Sequence, residues 1–197
     1  MKMKIFRLTV AVAVFGCLMI GGPSRGLAQE GHTHVTTSDG QAETTAHSNQ
    51  SSALIQVVRE STDRFQDVSK AEAAGYYLKF GCVSGPDSGA MGMHFVNMPL
   101  VLDGILDVTR PEIVIYEPMP NGSLRLIGAD YLVLASAWDA AHTAPPELMG
   151  QLFHFFESPN RFGLPAFYTL HVWAWKESPT GSFVNWHSNV SCNAYRG

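Results

Sequence analysis

Four histidines lie inside apolar or aromatic runs, and they are the side chains of this sequence best suited to chemistry. They are His94 in Met-Gly-Met-His-Phe-Val, His154 in Gln-Leu-Phe-His-Phe-Phe, His171 in Leu-His-Val-Trp and His187 in Val-Asn-Trp-His. A buried imidazole needs a partner for each ring nitrogen, because an unpaired polar group in the interior costs about 1–3 kcal/mol. Several imidazoles in one small domain can share a metal ion as that partner. The pattern therefore predicts a metal site, against the alternative of core imidazoles bonded to backbone groups.

Side-chain alternation along the predicted strands selects the ligands. His94, His171 and Glu117 each project from a strand face with apolar neighbours, and His154 comes from a segment between strands. If these faces lie on one side of a curved sheet, the four side chains converge, so the predicted metal ligands are His94, Glu117, His154 and His171. His187 is expected to be structural. Because metal–nitrogen distances are about 2 Å, His94 and His171 should bring ring nitrogens within about 5 Å of each other.

Three imidazoles and one carboxylate suit a divalent transition metal, namely Cu, Zn, Fe or Mn. Met91, Met93 and Met98 flank His94, and thioethers shift the preference toward copper. Aromatic neighbours favour a metal-dependent oxidoreductase over a hydrolase. Two alternatives stay open. One is a non-catalytic module that binds a small ligand in an apolar pocket, and the other is a periplasmic metal-handling protein.

Residues 1–28 have the pattern of a signal peptide, with a basic start, an apolar core and Gly26-Leu27-Ala28 as a cleavage site. The chain is therefore expected to be secreted or periplasmic, without a transmembrane segment once the signal is removed. Lipidation at Cys17 is the alternative form of processing. Residues 29–51 are polar and of low complexity, so they are expected to be a disordered tail whose histidines bind metal weakly at most.

Removal of residues 1–28 takes away four basic residues and no acidic one, so the formal net charge falls from −4 to −8. An acidic exported chain is a poor partner for nucleic acid or anionic lipid, which leaves a small-molecule substrate or ligand as the expected partner. Cys82 and Cys192 are the cysteines left after cleavage, and in an oxidising compartment they are expected to form a disulfide. Closing a loop of about 100 residues would stabilise the fold by about 4–5 kcal/mol.

Residues 52–197 are predicted to form a single α+β domain. Helical spacing predicts a helix over 52–65, and a capping box predicts a second, short helix over 71–77. Gly81 to Gly92 is interpreted as a glycine-rich loop, and a short helix after Pro145-Pro146 is expected to include His154. Strands are predicted over 93–97, 112–117, 124–134, 168–176 and 181–186. The predicted architecture is thus two N-terminal helices packed on a curved antiparallel sheet of about five strands.

Three segments resemble a group of small exported bacterial proteins that is uncharacterised. They are Met91-Gly-Met-His94-Phe-Val-Asn97, Glu112-Ile-Val-Ile-Tyr-Glu117-Pro and Leu170-His171-Val-Trp173. The resemblance covers about residues 60–192 and implies export, without an activity. The sequence contains no Gly-x-Ser-x-Gly elbow and no phosphate-binding glycine loop. It therefore does not support a function as an α/β-hydrolase or as a nucleotide-binding protein.

Overall fold

The computed structural model describes residues 38–197, so the predicted signal peptide and residues 29–37 of the predicted tail lie outside the described residues. Its helices are α1 (Ser38–Thr62), α2 (Val68–Ala73), α3 (Met98–Asp103) and α4 (Ala135–Asp139), with a 3-10 helix (Asp63–Gln66) after α1. Its strands are β1 (Tyr77–Ser84), β2 (Ala90–Val96), β3 (Ile113–Pro118), β4 (Leu124–Leu134), β5 (Glu147–Leu148), β6 (Gln151–Leu152), β7 (His154–Phe156) and β8 (Phe167–Val172).

Six of these strands form one antiparallel sheet in the order β1-β2-β3-β4-β8-β7, which curls into a half-barrel. The other two, β5 and β6, pair with each other in a short hairpin. The predicted α+β class with a curved antiparallel sheet is therefore confirmed. The sheet has six strands where the sequence predicts about five. Strands β1 and β7 add one edge strand on each side, and residues 181–186 form no strand.

The central strands are buried on both faces because apolar clusters cover each face. On the helix face, Leu54 and Val58 of α1 pack against Tyr131, Leu170 and Val172. The opposite face, called the site face, carries a second cluster that includes Val96, Ile113, Ile115, Leu132 and Trp173. Directly opposed residues of neighbouring antiparallel strands point to the same face, so the register of the sheet decides which polar residues join each cluster.

Helix α1 begins at Ser38, so residues 38–51 are helical where the sequence predicts a disordered tail. The apolar side chains Leu54 and Val58 anchor the following turns on the sheet. Once those turns are fixed, each further residue adds one hydrogen bond, and the polar stretch can extend the helix without packing. In residues 38–197, no helix is both long enough and apolar enough to cross a membrane.

Two strands, β1 and β7, are not predicted by the sequence patterns. In β1, Phe80 and Gly81 both have positive φ (63° and 65°) and the pairing register shifts between Lys79 and Cys82, so the usual alternation is broken. In β7, the segment predicted to be helical pairs with β8 as a strand, His154 opposite Thr169. The aromatic residues around His154 alternate between the two faces, which a strand permits and a short helix does not.

A disulfide joins Cys82 on β1 to Cys192 near the end of the chain, as predicted. The two Cα atoms are 5.7 Å apart and 110 residues separate the cysteines in sequence. A backbone bridge between Ala90 and His187 holds the same C-terminal segment to β2. The C-terminal segment is therefore fixed against the edge of the sheet at two points.

Candidate metal centre

Three buried side chains meet on the site face of the sheet: His94 from β2, Asp130 from β4 and His171 from β8. Asp130 lies opposite both Ile113 of β3 and His171 of β8, so it shares their face. Each of the three residues offers one ligand atom, and these atoms all lie within 4.8 Å of one another. The expected approach of His94 and His171 is thus met, and the group can hold a metal ion.

His94 is oriented by a backbone carbonyl of its own strand. Its Nδ1 lies 3.2 Å from the oxygen of Gly92, and because a carbonyl can only accept, Nδ1 must carry the proton. In that tautomer the lone pair is on Nε2, and the contact with Gly92 is the one hydrogen bond that the ring makes among the described residues. Imidazole ligands of metals are commonly held in this way, by a hydrogen bond from the second ring nitrogen.

The orienting carbonyl depends on glycine at position 92. Gly92 has φ +88°, and a Cβ built there would lie 2.7 Å from the carbonyl oxygen of Tyr116. Any larger residue would therefore displace β2 from β3 or change the backbone that carries the carbonyl. Gly92 is a site residue that the sequence did not single out, although it stands two positions before His94 in the quoted motif.

Asp130 supplies the carboxylate of the group. It is buried, and it accepts a hydrogen bond from the hydroxyl of Thr169. Burial raises the pKa of Asp130 to about 6, while the neighbouring His94 and the Thr169 hydroxyl oppose the shift. A carboxylate at this place is costly without a positive partner, and no lysine or arginine among residues 38–197 forms a salt bridge with it.

His171 is the least satisfied member of the group. It is 3 % exposed, and neither ring nitrogen has a hydrogen-bond partner among the described residues. Its Nδ1 lies 3.7 Å from Oδ1 of Asp130, which is too far for a hydrogen bond. The side chain of Asn185 acts to raise the pKa of His171 against the larger effect of burial, and Oδ1 of Asn185 also has no hydrogen-bond partner among the described residues.

Both imidazoles of the group are neutral at physiological pH. Burial lowers the pKa of His94 to about 4, with the neighbouring His171 acting in the same direction. Burial lowers the pKa of His171 to about 3. A metal ligand must offer a lone pair, so neutral imidazoles bind without first losing a proton.

Glu117, predicted as the carboxylate ligand, lies on β3 outside this group. Its carboxylate is held by Lys176, at 2.8 Å, and by Arg125. Glu117 follows Ile113, the residue opposite Asp130, by four positions, which is roughly 13 Å along a strand at about 3.3 Å per residue. Side-chain parity therefore indicated the face but not the position along the strand.

His154, the fourth predicted ligand, lies at the rim of the site. It pairs with Thr169 across β7 and β8, but its side chain is exposed and its Nε2 is 3.3 Å from the carbonyl oxygen of Phe183. It is not part of the group whose ligand atoms lie within 4.8 Å. His187, expected to be structural, is buried edge-on to Trp173, and its Nδ1 accepts from the backbone N–H of Asn189.

A feature of the sequence could have identified Asp130 as a ligand, although side-chain alternation along the strands that carry the histidines does not reveal it. It is the single charged residue of the run Leu126-Ile-Gly-Ala-Asp-Tyr-Leu-Val-Leu134. The apolar composition of this run indicates a fully buried strand, and β4 is buried over nearly all of it. A charged group in such a strand is rare unless it is paired or bound to a metal. Its proximity to His171 depends on the pairing of β4 with β8, which the sequence patterns do not specify.

A small cavity lies against the three side chains. It offers about 20 Å³ to the centre of a water-sized sphere, which is room for one water molecule or one ion. Apart from the metal-binding group and Thr169, its walls are apolar: Phe80, Met91, Ile113, Leu132, Phe156, Phe162, Leu164 and Phe167. Of the three methionines near His94, Met91 lines this cavity, whereas Met93 packs in a cluster around Phe65.

No protein-family model, curated protein or solved structure matches the chain. The resemblance to small exported bacterial proteins therefore stays a prediction.

Proposed function

We propose that His94, Asp130 and His171 bind one divalent transition-metal ion and that the protein is a metal-dependent oxidoreductase. The observation that carries the proposal is His171, a buried imidazole with two unpaired nitrogens beside a buried carboxylate. One cation would satisfy a nitrogen of His171, the free nitrogen of His94 and the charge of Asp130 together. The unpaired state of such groups costs about 1–3 kcal/mol each, so this is a substantial driving force for binding.

The distances support binding after a small adjustment. Ligand atoms about 2.1 Å from one ion can be at most about 4.2 Å apart. Asp130 and His171 already approach to 3.7 Å, and all three ligand atoms lie within 4.8 Å of one another. Side-chain rotations that move the ligand atoms by less than about 1 Å would bring all three within the distance that one ion can span.

Two imidazoles and one carboxylate are a donor set that leaves coordination positions open, as in mononuclear non-haem iron sites, and Zn, Mn and Cu are the other candidates. When bound, such an ion supplies a Lewis acid or a redox centre at an open position. The chain supplies the rest: Asp130 balances charge, Gly92 orients His94, and the apolar walls exclude water. The copper preference suggested by the methionines has only Met91 at the cavity to support it.

The alternative is a non-catalytic module that binds a small ligand in the same cavity. The apolar walls favour it as a second candidate, since they would suit an apolar ligand without an ion. Metal binding by the folded domain separates the two candidates.

The experiment is elemental analysis of the exported protein, purified without a histidine tag. We expect about one metal ion per chain, lost in His171→Ala and Asp130→Asn. The matched control is His142→Ala, since His142 is exposed and stacks on Trp138 away from the cavity. A His32→Ala/His34→Ala variant tests the tail and should keep the metal. A folded wild-type protein without metal, or retention of metal in Asp130→Asn, would overturn the proposal.

A further inference from the structure

Aromatic side chains from separate segments cover the metal-binding group. Phe156 of β7 and Phe167 of β8 stack with ring centroids 5.1 Å apart. Phe162, from the loop between those strands, packs edge-on to Phe167 at 6.1 Å. Phe80 comes from β1, at the opposite edge of the sheet, and its ring meets Phe162 edge-on at 5.4 Å. The curl of the sheet thus brings its two edges together over the cavity.

Phe80 reaches this place through an unusual backbone conformation. Its φ of +63° lies in the left-handed region, which a bulky side chain rarely adopts. Gly81 continues the turn at φ +65°, and the register of β1 against β2 shifts at this point. Phe80 nevertheless stays 42 % exposed as a residue while it lines the cavity. An outlier of this kind at the mouth of a cavity points to a functional constraint.

A second contact joins β1 to the loop between β7 and β8, outside the aromatic rings. Nη2 of Arg161 donates to the carbonyl oxygen of Ser84 on β1 at 3.1 Å. The guanidinium also lies over the ring of Trp186, 5.7 Å from its centroid. Arg161 is exposed and does not line the cavity, so its charge stays on the outer surface.

The cavity walls carry no polar group that is free to bind a charged ligand. The hydroxyl of Thr169 is already donated to Asp130, and the remaining wall residues beyond the metal-binding group are apolar. A cation would lose its hydration there without compensation, because the bound metal ion already balances the charge of Asp130. An apolar molecule would gain contacts, and it could reach the metal-binding group from the mouth between Phe80 and Phe162.

We infer that Phe80 and Phe162 form the entrance to the site and that Phe80 restricts it to predominantly apolar ligands. The inference rests on the proposed function, because it takes the cavity to be the ligand side of the metal centre. A free space of about 20 Å³ admits one water-sized molecule, so a larger ligand enters when Phe80 moves aside. Phe80 is therefore a residue that determines specificity.

The test follows the methyl resonance of Met91, which lines the cavity, in the full exported protein labelled at methionine methyl groups. The probes are benzene and benzylammonium, which share a ring and differ in charge. We expect benzene to shift the Met91 resonance and benzylammonium to leave it unchanged. Apolar cavities of sufficient size bind benzene, so Phe80→Ala should bind it at least ten-fold more tightly.

The matched control is Phe155→Ala, since Phe155 is a 51 % exposed phenylalanine of β7 outside the cavity. It should bind benzene as wild type does. An equal shift with benzylammonium, no response to benzene in Phe80→Ala, or the same gain in Phe155→Ala would each overturn the inference. Elemental analysis separates the two proposals: metal without benzene binding refutes the entrance alone, and benzene binding without metal refutes the metal centre alone.

Discussion

Nδ1 of His171 lies 3.7 Å from Oδ1 of Asp130, and neither ring nitrogen of His171 has a hydrogen-bond partner among the described residues. Buried polar groups in folded proteins are paired with few exceptions. The unpaired ring stands beside a buried carboxylate and a second neutral imidazole, and one divalent cation bound between them would provide a partner for each.

Asp130→Asn should abolish stabilisation of the protein by metal. The amide is close in shape and can still accept from Thr169, but it lacks the charge that balances the ion. For wild type, zinc at about 100 times its dissociation constant should add about 2.7 kcal/mol, or roughly 5–10 °C in Tm. For Asp130→Asn the shift should be close to zero. Thermal unfolding with and without zinc measures it, and an equal shift in the variant would contradict a role for Asp130.

Glu117→Gln should lower stability and leave metal binding intact. Burial raises the pKa of Glu117, but hydrogen bonds and charges from Lys176 and Arg125 outweigh it, so the pKa is lowered overall. A lowered pKa stabilises the folded state above the ordinary glutamate pKa, and this contribution disappears as pH falls through the folded-state pKa. The cost at pH 7 should be about 1–3 kcal/mol. Urea unfolding measures it, and loss of metal in this variant would restore Glu117 as a ligand.

The sequence predicted the faces of the strands better than their positions. His94 and His171 meet because alternation along β2 and β8 fixes the side each ring takes. Alternation also puts Glu117 on an inward face. Which residue of β3 lies opposite Asp130 depends on the pairing of β3 with β4, and that register shifts between Ile115 and Tyr116. Such a shift arises from one extra residue in the partner strand, and no local pattern marks it.

The edges of the sheet were the least predictable part. Phe80 lies in β1 at a break in the register, where a positive φ replaces the regular alternation. Its contact with Phe162 joins segments about 80 residues apart, and it exists only because the sheet curls. A contact of this range is set by the twist of the whole sheet. The aromatic entrance is therefore a property of the fold that residue types alone did not indicate.

Glu112→Gln should flatten the dependence of stability on pH between about 4.5 and 8. Burial raises the pKa of Glu112 to about 8, so the folded state keeps a proton that the unfolded chain releases near 4.5. Stability therefore falls as pH rises through this window, by up to about 1.4 kcal/mol per pH unit. Glutamine keeps an acceptor for the backbone N–H of Leu132 and has no proton to lose.

Urea unfolding of wild type and Glu112→Gln at several pH values measures this difference. Glu157→Gln, which changes an exposed glutamate, is the control and should follow wild type. Parallel curves for wild type and Glu112→Gln would show that Glu112 does not hold its proton across the window.

Gly92→Ala should weaken metal binding through the orientation of His94. A methyl group at position 92 would lie 2.7 Å from the carbonyl oxygen of Tyr116, so β2 must shift and carry the Gly92 carbonyl with it. Loss of a partner that orients a metal ligand costs about 10–100-fold in affinity. Gly163→Ala is the matched control, because Gly163 also has positive φ (+66°) but a methyl group there meets no atom within 4 Å. Both variants carry backbone strain, and only Gly92→Ala disturbs the site. Zinc titration of the two folded variants measures the difference, and equal affinities would show that the Gly92 carbonyl does not position His94.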